Sequence, residues 1–553
     1  MKSRWYIILL IGLSSIIFIP FIGSVHLFDW DEINFAESAR EMIVTGDYLT
    51  VKINYEPFWE KPPLFIWMQV LSMKTFGINE FAARFPNAIC GILTILILFL
   101  IGTKVFNRKF GISWALTYLS SFLPFFYFKS GIIDPWFNLF IFLSIYNFIL
   151  FYHRESESTG IIQIILSACF IGLGILTKGP VAFLIFGLTV LVFYIFDRFS
   201  LRFKWFHILL YASVMTVVGG FWFILLMMHG NMKIIHDFFV YQIRLFNTED
   251  AGHGGFMLYH VAVLFFGVFP ASIFALKAFR KQNFDNKFQM LFKRWMSILF
   301  WVVLILFSIV KTKIVHYSSM CYIPLTFLGA WTVYHILDRK FIFNKWLKIL
   351  LLSISFIISL AVVGLGLFDK IKFKIIDLFN IQDSFTLGNL SADVHWIGFE
   401  WIIGLILLTG TIFLLWYFYK DKAERAFFIF SFSLVIFMLS AILFFTSKVE
   451  QYSQRAAIDF YINKKNENCL VKNIGYKSYA PLFYNNQMPD QVRKMKDEKR
   501  LLSGNIDKTV YFVLKNYDKE RFIKSYPDIN FLWEKNGFVF FVRNLNKLKI
   551  NDK

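Results

Sequence analysis

Trp30-Asp31-Glu32-Ile33-Asn34-Phe35-Ala36-Glu37, followed by Phe58-Trp59-Glu60-Lys61-Pro62-Pro63, concentrates charge in a chain otherwise dominated by apolar runs. One such run, over residues 5–25, precedes the cluster, and another, over 86–103, follows it. Each approaches the roughly 20 residues that carry a helix across a bilayer. The charge between them therefore belongs at a membrane face. Carboxylates, a lysine and a rigid Pro-Pro turn suit polar chemistry at the lipid boundary better than passive anchoring.

Composition points the same way. Of 553 residues 57% are hydrophobic, with 71 Phe and 16 Trp, against about 45–50% apolar in an ordinary globular chain. The fold class is an all-α polytopic membrane protein. About thirteen apolar helices are predicted, over residues 5–25, 86–103, 112–127, 135–152, 161–177, 179–196, 207–228, 258–277, 295–310, 318–337, 346–368, 398–419 and 426–447. The first reads as a retained helix, since no small-residue cleavage site follows it. A formal charge of +20 would suit nucleic acid if clustered, but the basic residues are scattered over many short loops, which excludes that partner. Cys90, Cys169 and Cys321 lie in apolar runs and Cys469 stands alone, so neither a disulfide framework nor zinc-finger spacing exists.

Loop charges set the orientation. Lys104/Arg108/Lys109, Arg198/Arg202/Lys204, Arg280/Lys281/Lys287, Arg339/Lys340/Lys345 and Lys420/Lys422/Arg425 follow even-numbered helices. Basic residues favour the cytoplasmic side, so the N-terminus is expected inside, and the first loop (26–85) and the tail outside. The division is a membrane domain over 1–447 and an outer domain over 448–553. Within the loop, Phe35, Ala36, Ala39, Met42 and Ile43 recur at helical spacing opposite Asn34, Glu37, Ser38 and Glu41. That pattern predicts an amphipathic helix on the membrane, ended by Gly46-Asp47; a second is expected over 63–76. In the tail, 469–471, 509–514 and 531–542 read as strands, the last as a hairpin turning at Asn536-Gly537, with a helix over 518–525. This makes a small α/β domain.

The motifs Trp30-Asp31-Glu32, Phe35-Ala36-Glu37, Ala39-Arg40-Glu41-Met42, Gly46-Asp47-Tyr48 and Phe58-Trp59-Glu60-Lys61-Pro62-Pro63-Leu64 recur in order with Glu80-Phe81-Ala82-Ala83-Arg84-Phe85-Pro86. Further along come Asp134, Leu176-Thr177-Lys178-Gly179-Pro180, Gly252-His253-Gly254 and Lys311-Thr312-Lys313 with His316-Tyr317, Tyr322 and Pro324. Together they resemble the aminoarabinose-transferase branch of the GT-C glycosyltransferases, a relative of the protein O-mannosyltransferases. The resemblance covers about the first 340 residues; the later helices and tail match in layout. It implies a pentosyl- or hexosyltransferase of the inner membrane. Such an enzyme takes sugar from a polyprenyl-phosphate carrier and gives it to a lipid, such as lipid A, a glycan or a protein at the outer face.

Attack on an anomeric carbon uses a base for the acceptor and stabilisation of the departing phosphate. Asp31 matches the family's leading catalytic carboxylate, with Glu32 beside it in the substrate site, and Asp134 is the second catalytic candidate. For both Asp31-Glu32 and Asp134 a helix N-cap is the competing reading. Lys61, Lys178, Arg244, Lys311 and Lys313 fall in expected outer loops, where cations are otherwise depleted. Lys61 and Lys178 match positions that contact the carrier phosphate, while Lys311 and Lys313 are equally read as helix-end anchors. Tyr317 and Tyr322 are phosphate donors or interfacial belt residues. Some relatives hold a divalent metal ion between residues matching Glu60 and His253; a His in a Gly-rich loop also suits an acceptor site. Where the family carries Arg three residues after the leading Asp, this chain has Asn34. The competing function is a transporter or flippase for a polar lipid, but transporters place their ionisable groups near the midplane, whereas these collect at one face.

Overall fold

A computed structural model describes residues 2–153, 157–198, 204–247, 254–280 and 285–545. Each of the thirteen apolar runs is largely helical there, but not each is one straight span. Among the described residues nine helices are long and apolar enough to cross a membrane, or ten if a bent pair counts as one. That pair, Tyr259–Gly267 and Ala271–Ala278, bends by 110°; Pro270 between them has no backbone N–H to continue a helix. The run at 112–127 divides into Arg108–Leu119 and Phe122–Tyr127. There the hydroxyls of Ser120 and Ser121 each donate at 2.7 Å to the carbonyl four residues back, a bond that loosens a helix. Arg4–Phe18 and Val181–Phe196 are shorter apolar helices.

Aromatic side chains fill the bundle. Trp114, Trp295 and Trp331 are fully buried, and Phe327 meets Trp114 edge-on with ring centres 5.1 Å apart. Close backbone approach occurs where the helix Glu80–Val105 crosses Arg108–Leu119. A Cβ on Gly111 would lie 2.5 Å from the carbonyl oxygen of Phe99, so only glycine fits.

The helix Asp31–Thr45 forms as its spacing predicts and ends at Gly46, whose φ of 71° suits glycine. Its setting differs from expectation. Instead of facing water, the polar side of this helix is covered: Glu37, Ser38, Arg40 and Glu41 are all fully buried. The tail lies over them. Arg40 bonds Glu37 at 2.6 and 2.7 Å, the carbonyl of Gln487 at 2.9 Å and the Asn486 side chain at 3.1 Å. The apolar side meets Phe65 of the second loop helix, Leu64–Phe76. A helix patterned for an interface thus becomes the middle layer between bundle and tail, and tail and first loop share one face of the protein.

The tail sheet contains Cys469–Asn473, Thr509–Lys515, Phe538–Arg543 and Asn530–Lys535 in that spatial order. The first two are parallel and the rest antiparallel. Asn536 and Gly537 turn the hairpin with positive φ at both positions, and Lys519–Ser525 is the predicted helix. The helix from Ala423 runs on through Ile442–Thr446 to Ser453, so a division at 447/448 falls inside continuous helix. All four cysteines are unpaired.

Glu41 records the cost of this covered layer. Burial, reinforced by neighbouring Glu37, pushes its carboxyl up to about 9. Between its ordinary value of 4.5 and about 9, the folded chain holds a proton that the unfolded chain releases. Folding stability therefore falls as pH rises through that window. Glu41→Gln keeps the donor and removes the titration. Its thermal midpoint is expected to exceed wild type at pH 8.5 by up to roughly 4 °C, and to converge with it near pH 5. Parallel melting curves across this range would show that Glu41 is ionised in the folded state.

Candidate active site

Glu32 and Asp31 are neighbours, yet the structure sends them in different directions. Arg84, from the helix Glu80–Val105, grips both oxygens of Glu32 at 2.9 and 2.7 Å. The backbone N–H groups of Phe28 and Gly131 donate to the same carboxylate at 3.0 and 2.6 Å. The Arg84 guanidinium also donates to the carbonyls of Ile22, Val25 and His26. Burial alone would raise the Glu32 carboxyl; Arg84 and these donors outweigh it and hold it below the usual carboxylate range. Held in this way, Glu32 does not line the cavity into which Asp31 opens.

Asp31 opens into a cavity of about 350 Å³. Three separated segments bring Lys61, Asp134 and Lys178 to it. Asp134 begins the helix Asp134–Tyr152, and Lys178 ends Glu157–Lys178 just before Gly179, whose φ is 88°. Lys178 Nζ lies 2.6 Å from Asp134 Oδ1, and the Ser319 hydroxyl donates to the same oxygen at 3.3 Å. The Lys178 ammonium sits 5.4 Å from the ring centres of both Phe137 and Tyr317. Lys61 lies 5.6 Å from the Tyr241 ring, and Tyr241 donates to Glu60 at 3.1 Å. Burial lowers the Lys61 ammonium from its ordinary value, with Glu60 and Asp31 opposing. His316 Nε2 stands 3.7 Å from Asp31 Oδ2. Phe35, Phe58, Val181 and Phe307 supply apolar wall.

The residues that precede the helices beginning at Asp31 and Asp134, namely Trp30 and Ile133, make no side-chain cap. Tyr317 and Glu60 line the cavity with them. Other predicted residues lie elsewhere. Tyr322 is buried in the bundle with its ring 5.4 Å from that of Tyr127. Lys313 donates to the carbonyls of Phe307 and Ser308 at 3.1 and 2.7 Å, closing the end of the helix Lys287–Ile309 as the anchoring alternative anticipated. Lys311 is exposed and outside the lining. Arg244 stacks over Tyr241 at 5.1 Å, one turn from the cavity wall. His253 lies outside the described residues. Among the described residues no group of three His, Cys, Asp or Glu side chains could hold a metal ion.

Sequence reasoning gave no role to His316, Tyr241 or Trp30. His316 and Trp30 stood inside quoted motifs, so their places beside Asp31 were within reach. Tyr241 lies on the helix Met232–Asn247, one turn before Arg244. Asn34, the departure from the family pattern, lines the cavity, and its Oδ1 is buried without a hydrogen-bond partner.

A family profile described as dolichyl-phosphate-mannose-protein mannosyltransferase matches residues 60–223. The structure superimposes on that of ArnT from Cupriavidus metallidurans bound to undecaprenyl phosphate with a TM-score of 0.77, at 17% identity and over 98% of both chains. The chain shares the fold of that ArnT structure, and its sequence resembles the aminoarabinose transferases. The undecaprenyl phosphate-alpha-4-amino-4-deoxy-L-arabinose arabinosyl transferase 1 of Proteus mirabilis is 26% identical over 343 residues, 61% of each chain. The corresponding transferase of Photorhabdus laumondii is 27% identical over 310 residues, 54% of each. The matched regions thus span about three fifths or less of these relatives' length, whereas the structural superposition covers nearly all of this chain.

Arg84→Ala would leave a buried carboxylate without its partner. It should cost roughly 3–5 kcal/mol, read as a large fall in thermal midpoint. The double variant Glu32→Gln with Arg84→Met should lose clearly less, because no buried charge is orphaned. A loss in the double variant equal to the sum of the losses from Glu32→Gln and Arg84→Met alone would mean that the two side chains act independently.

Proposed function

We propose that this chain is an inverting glycosyltransferase of the inner membrane that moves a sugar from a polyprenyl-phosphate carrier to an acceptor lipid at the outer face. Its N-terminus is cytoplasmic, and the tail and the cavity face the outer side. The observation that carries the reading is one apolar-walled cavity at the end of the bundle that gathers Asp31, Lys61 and Lys178 from segments far apart in sequence. The similar transferases named above act with undecaprenyl-phosphate-linked sugar by their descriptions, and the chemistry here suits the same type of donor.

In this mechanism the acceptor oxygen attacks the anomeric carbon from the side opposite the phosphate, and the bond from that carbon to the phosphate oxygen breaks. Asp31 receives the acceptor proton, with His316 beside it to hold the carboxylate. The carrier phosphate leaves toward Lys61 and Lys178. Asp134 positions Lys178, and the aromatic rings around both ammonium groups hold them in place before charge develops on the phosphate. A transporter would instead carry its ionisable groups near the middle of the membrane.

Asp31→Asn preserves volume and removes the base, so turnover should fall by about 10²–10⁴-fold while the protein remains folded. Purified protein, a polyprenyl-phosphate sugar and lipid acceptor provide the assay; activity within about tenfold of wild type would remove Asp31 from the mechanism. Lys61→Met should depress kcat more than donor affinity, because charge on the departing phosphate grows in the transition state. Equal effects on both would make Lys61 a simple binding residue.

A further inference from the structure

The end of the bundle opposite the tail carries a second cavity. It is a groove of about 540 Å³ between the helices Arg108–Leu119, Tyr322–Leu337 and Ala423–Ala441. The helix Glu80–Val105, which holds Arg84 near the reaction cavity, reaches it only after 26 residues, roughly 39 Å of helix. The transfer mechanism makes no use of it.

Ile112, Leu116, Leu337, Phe427 and Phe428 wall the inner part of the groove. The Ser113 hydroxyl, also in the lining, donates at 2.9 Å to the carbonyl of Lys109 in its own helix. Little there suits a polar ligand. The lining runs along one helix from Arg108 to Thr117, a rise of about 14 Å. One leaflet contributes about 15 Å of hydrocarbon, so the groove is as deep as a single leaflet. Phe428 on its wall is exposed on the bundle surface, where lipid stands.

The charged lining residues are Arg108, Lys109, Asp338 and Glu424, all at the mouth. Lys109 Nζ stands 3.0 Å from both Asp338 and Glu424, so two carboxylates divide one ammonium. Arg108 makes no ion pair among the described residues, and its guanidinium lies 5.0 Å from the Tyr6 ring centre. The mouth therefore lacks an anion at Arg108 and a second cation beside Asp338 and Glu424. A headgroup with both a phosphate and an amine supplies the two; a phosphate headgroup without an amine supplies one.

We infer that this groove binds a phospholipid with an amine-bearing headgroup, taken from the leaflet at that end, the cytoplasmic one in the orientation proposed above. One acyl chain lies along Ile112, Leu116 and Phe427, the phosphate meets Arg108, and the amine meets Asp338 and Glu424. The lipid wedges the seam between the bundle and the helix that runs on to Ser453 beneath the tail.

Full-length protein, purified in detergent and stripped of lipid, is titrated with dioleoylphosphatidylethanolamine and, separately, with dioleoylphosphatidylglycerol. Native mass spectrometry reads bound lipid, and the thermal midpoint is followed alongside. Wild type is expected to retain phosphatidylethanolamine in preference to phosphatidylglycerol, and its midpoint to rise with the retained lipid. Arg108→Gln should weaken phosphatidylethanolamine binding roughly tenfold, the loss of one charge-assisted contact. Glu424→Gln should erase the preference between the two lipids. Ser113→Phe fills the groove and should abolish both retention and the lipid-dependent rise. Should Ser113→Phe fail to fold, the two variants at the exposed mouth decide. Equal retention of both lipids by wild type would overturn the site, as would wild-type binding and preference in Arg108→Gln and Glu424→Gln. None of these readouts depends on sugar transfer, so the site stands or falls apart from the transferase reading.

Discussion

The buried pairing of Glu32 with Arg84 is the constraint on which the site depends. Two full charges taken from water in an apolar protein are costly unless each is matched and its remaining donors and acceptors are used. Here the match is two-pronged, and the surplus donors of Arg84 are spent on the carbonyls of Ile22, Val25 and His26. Glu32 in turn takes the N–H of Gly131, three residues before Asp134. One ion pair thus fixes the exit of the first helix, the start of the loop helix and the approach to Asp134. With Glu32 occupied in this way, the adjacent Asp31 is left facing the cavity.

The same economy recurs inside the cavity. Each lysine there has an anion or an aromatic face close by: Lys178 has Asp134, Phe137 and Tyr317, and Lys61 has Glu60 and Tyr241. A long flexible ammonium would otherwise give up side-chain entropy on meeting a phosphate. Tethering it beforehand moves that cost into folding, which is the condition for electrostatic stabilisation that needs no reorganisation during reaction.

Helical periodicity and apolar run length were enough to read the bundle and the loop helix, and alternation with Asn536-Gly537 was enough for the tail hairpin, because those signals are local. Asp31, Lys61 and Lys178 were legible through ordered motifs, and the structure places all three on one cavity. What local signals cannot carry is the partner across space. Glu32 and Arg84 both stood in quoted motifs, yet nothing in their spacing says that they meet. The polar face of the helix Asp31–Thr45 looked like a solvated face because its covering residues, Asn486 and Gln487, lie more than 440 positions away. Lys313 and Tyr322 carried donor chemistry suited to phosphate, but one is consumed by helix-end carbonyls and the other by the bundle core. Breaks at Ser120-Ser121 and Pro270 turned some apolar runs into bent helices, which a count by length does not register.

The buried middle layer changes how the tail is understood. A membrane anchor carrying an outer domain would need few contacts between the two, and the joining segment would be polar and exposed. Here Arg40 of the first loop is satisfied by Glu37 below and by Asn486 and Gln487 above. The hydroxyl of Tyr484 receives the N–H of Leu27 at 2.6 Å, and His26 meets Glu450 at 2.8 Å. The residues that approach Asp31 from the N-terminal side are therefore held by the tail as well as by the bundle. Removing the tail would uncover Glu37, Arg40 and Glu41 together and free the segment that carries Trp30 and Asp31. Among the described residues no tail residue lines the cavity itself, yet through its contacts with the first loop the tail holds the segment that carries Trp30 and Asp31 into the cavity wall.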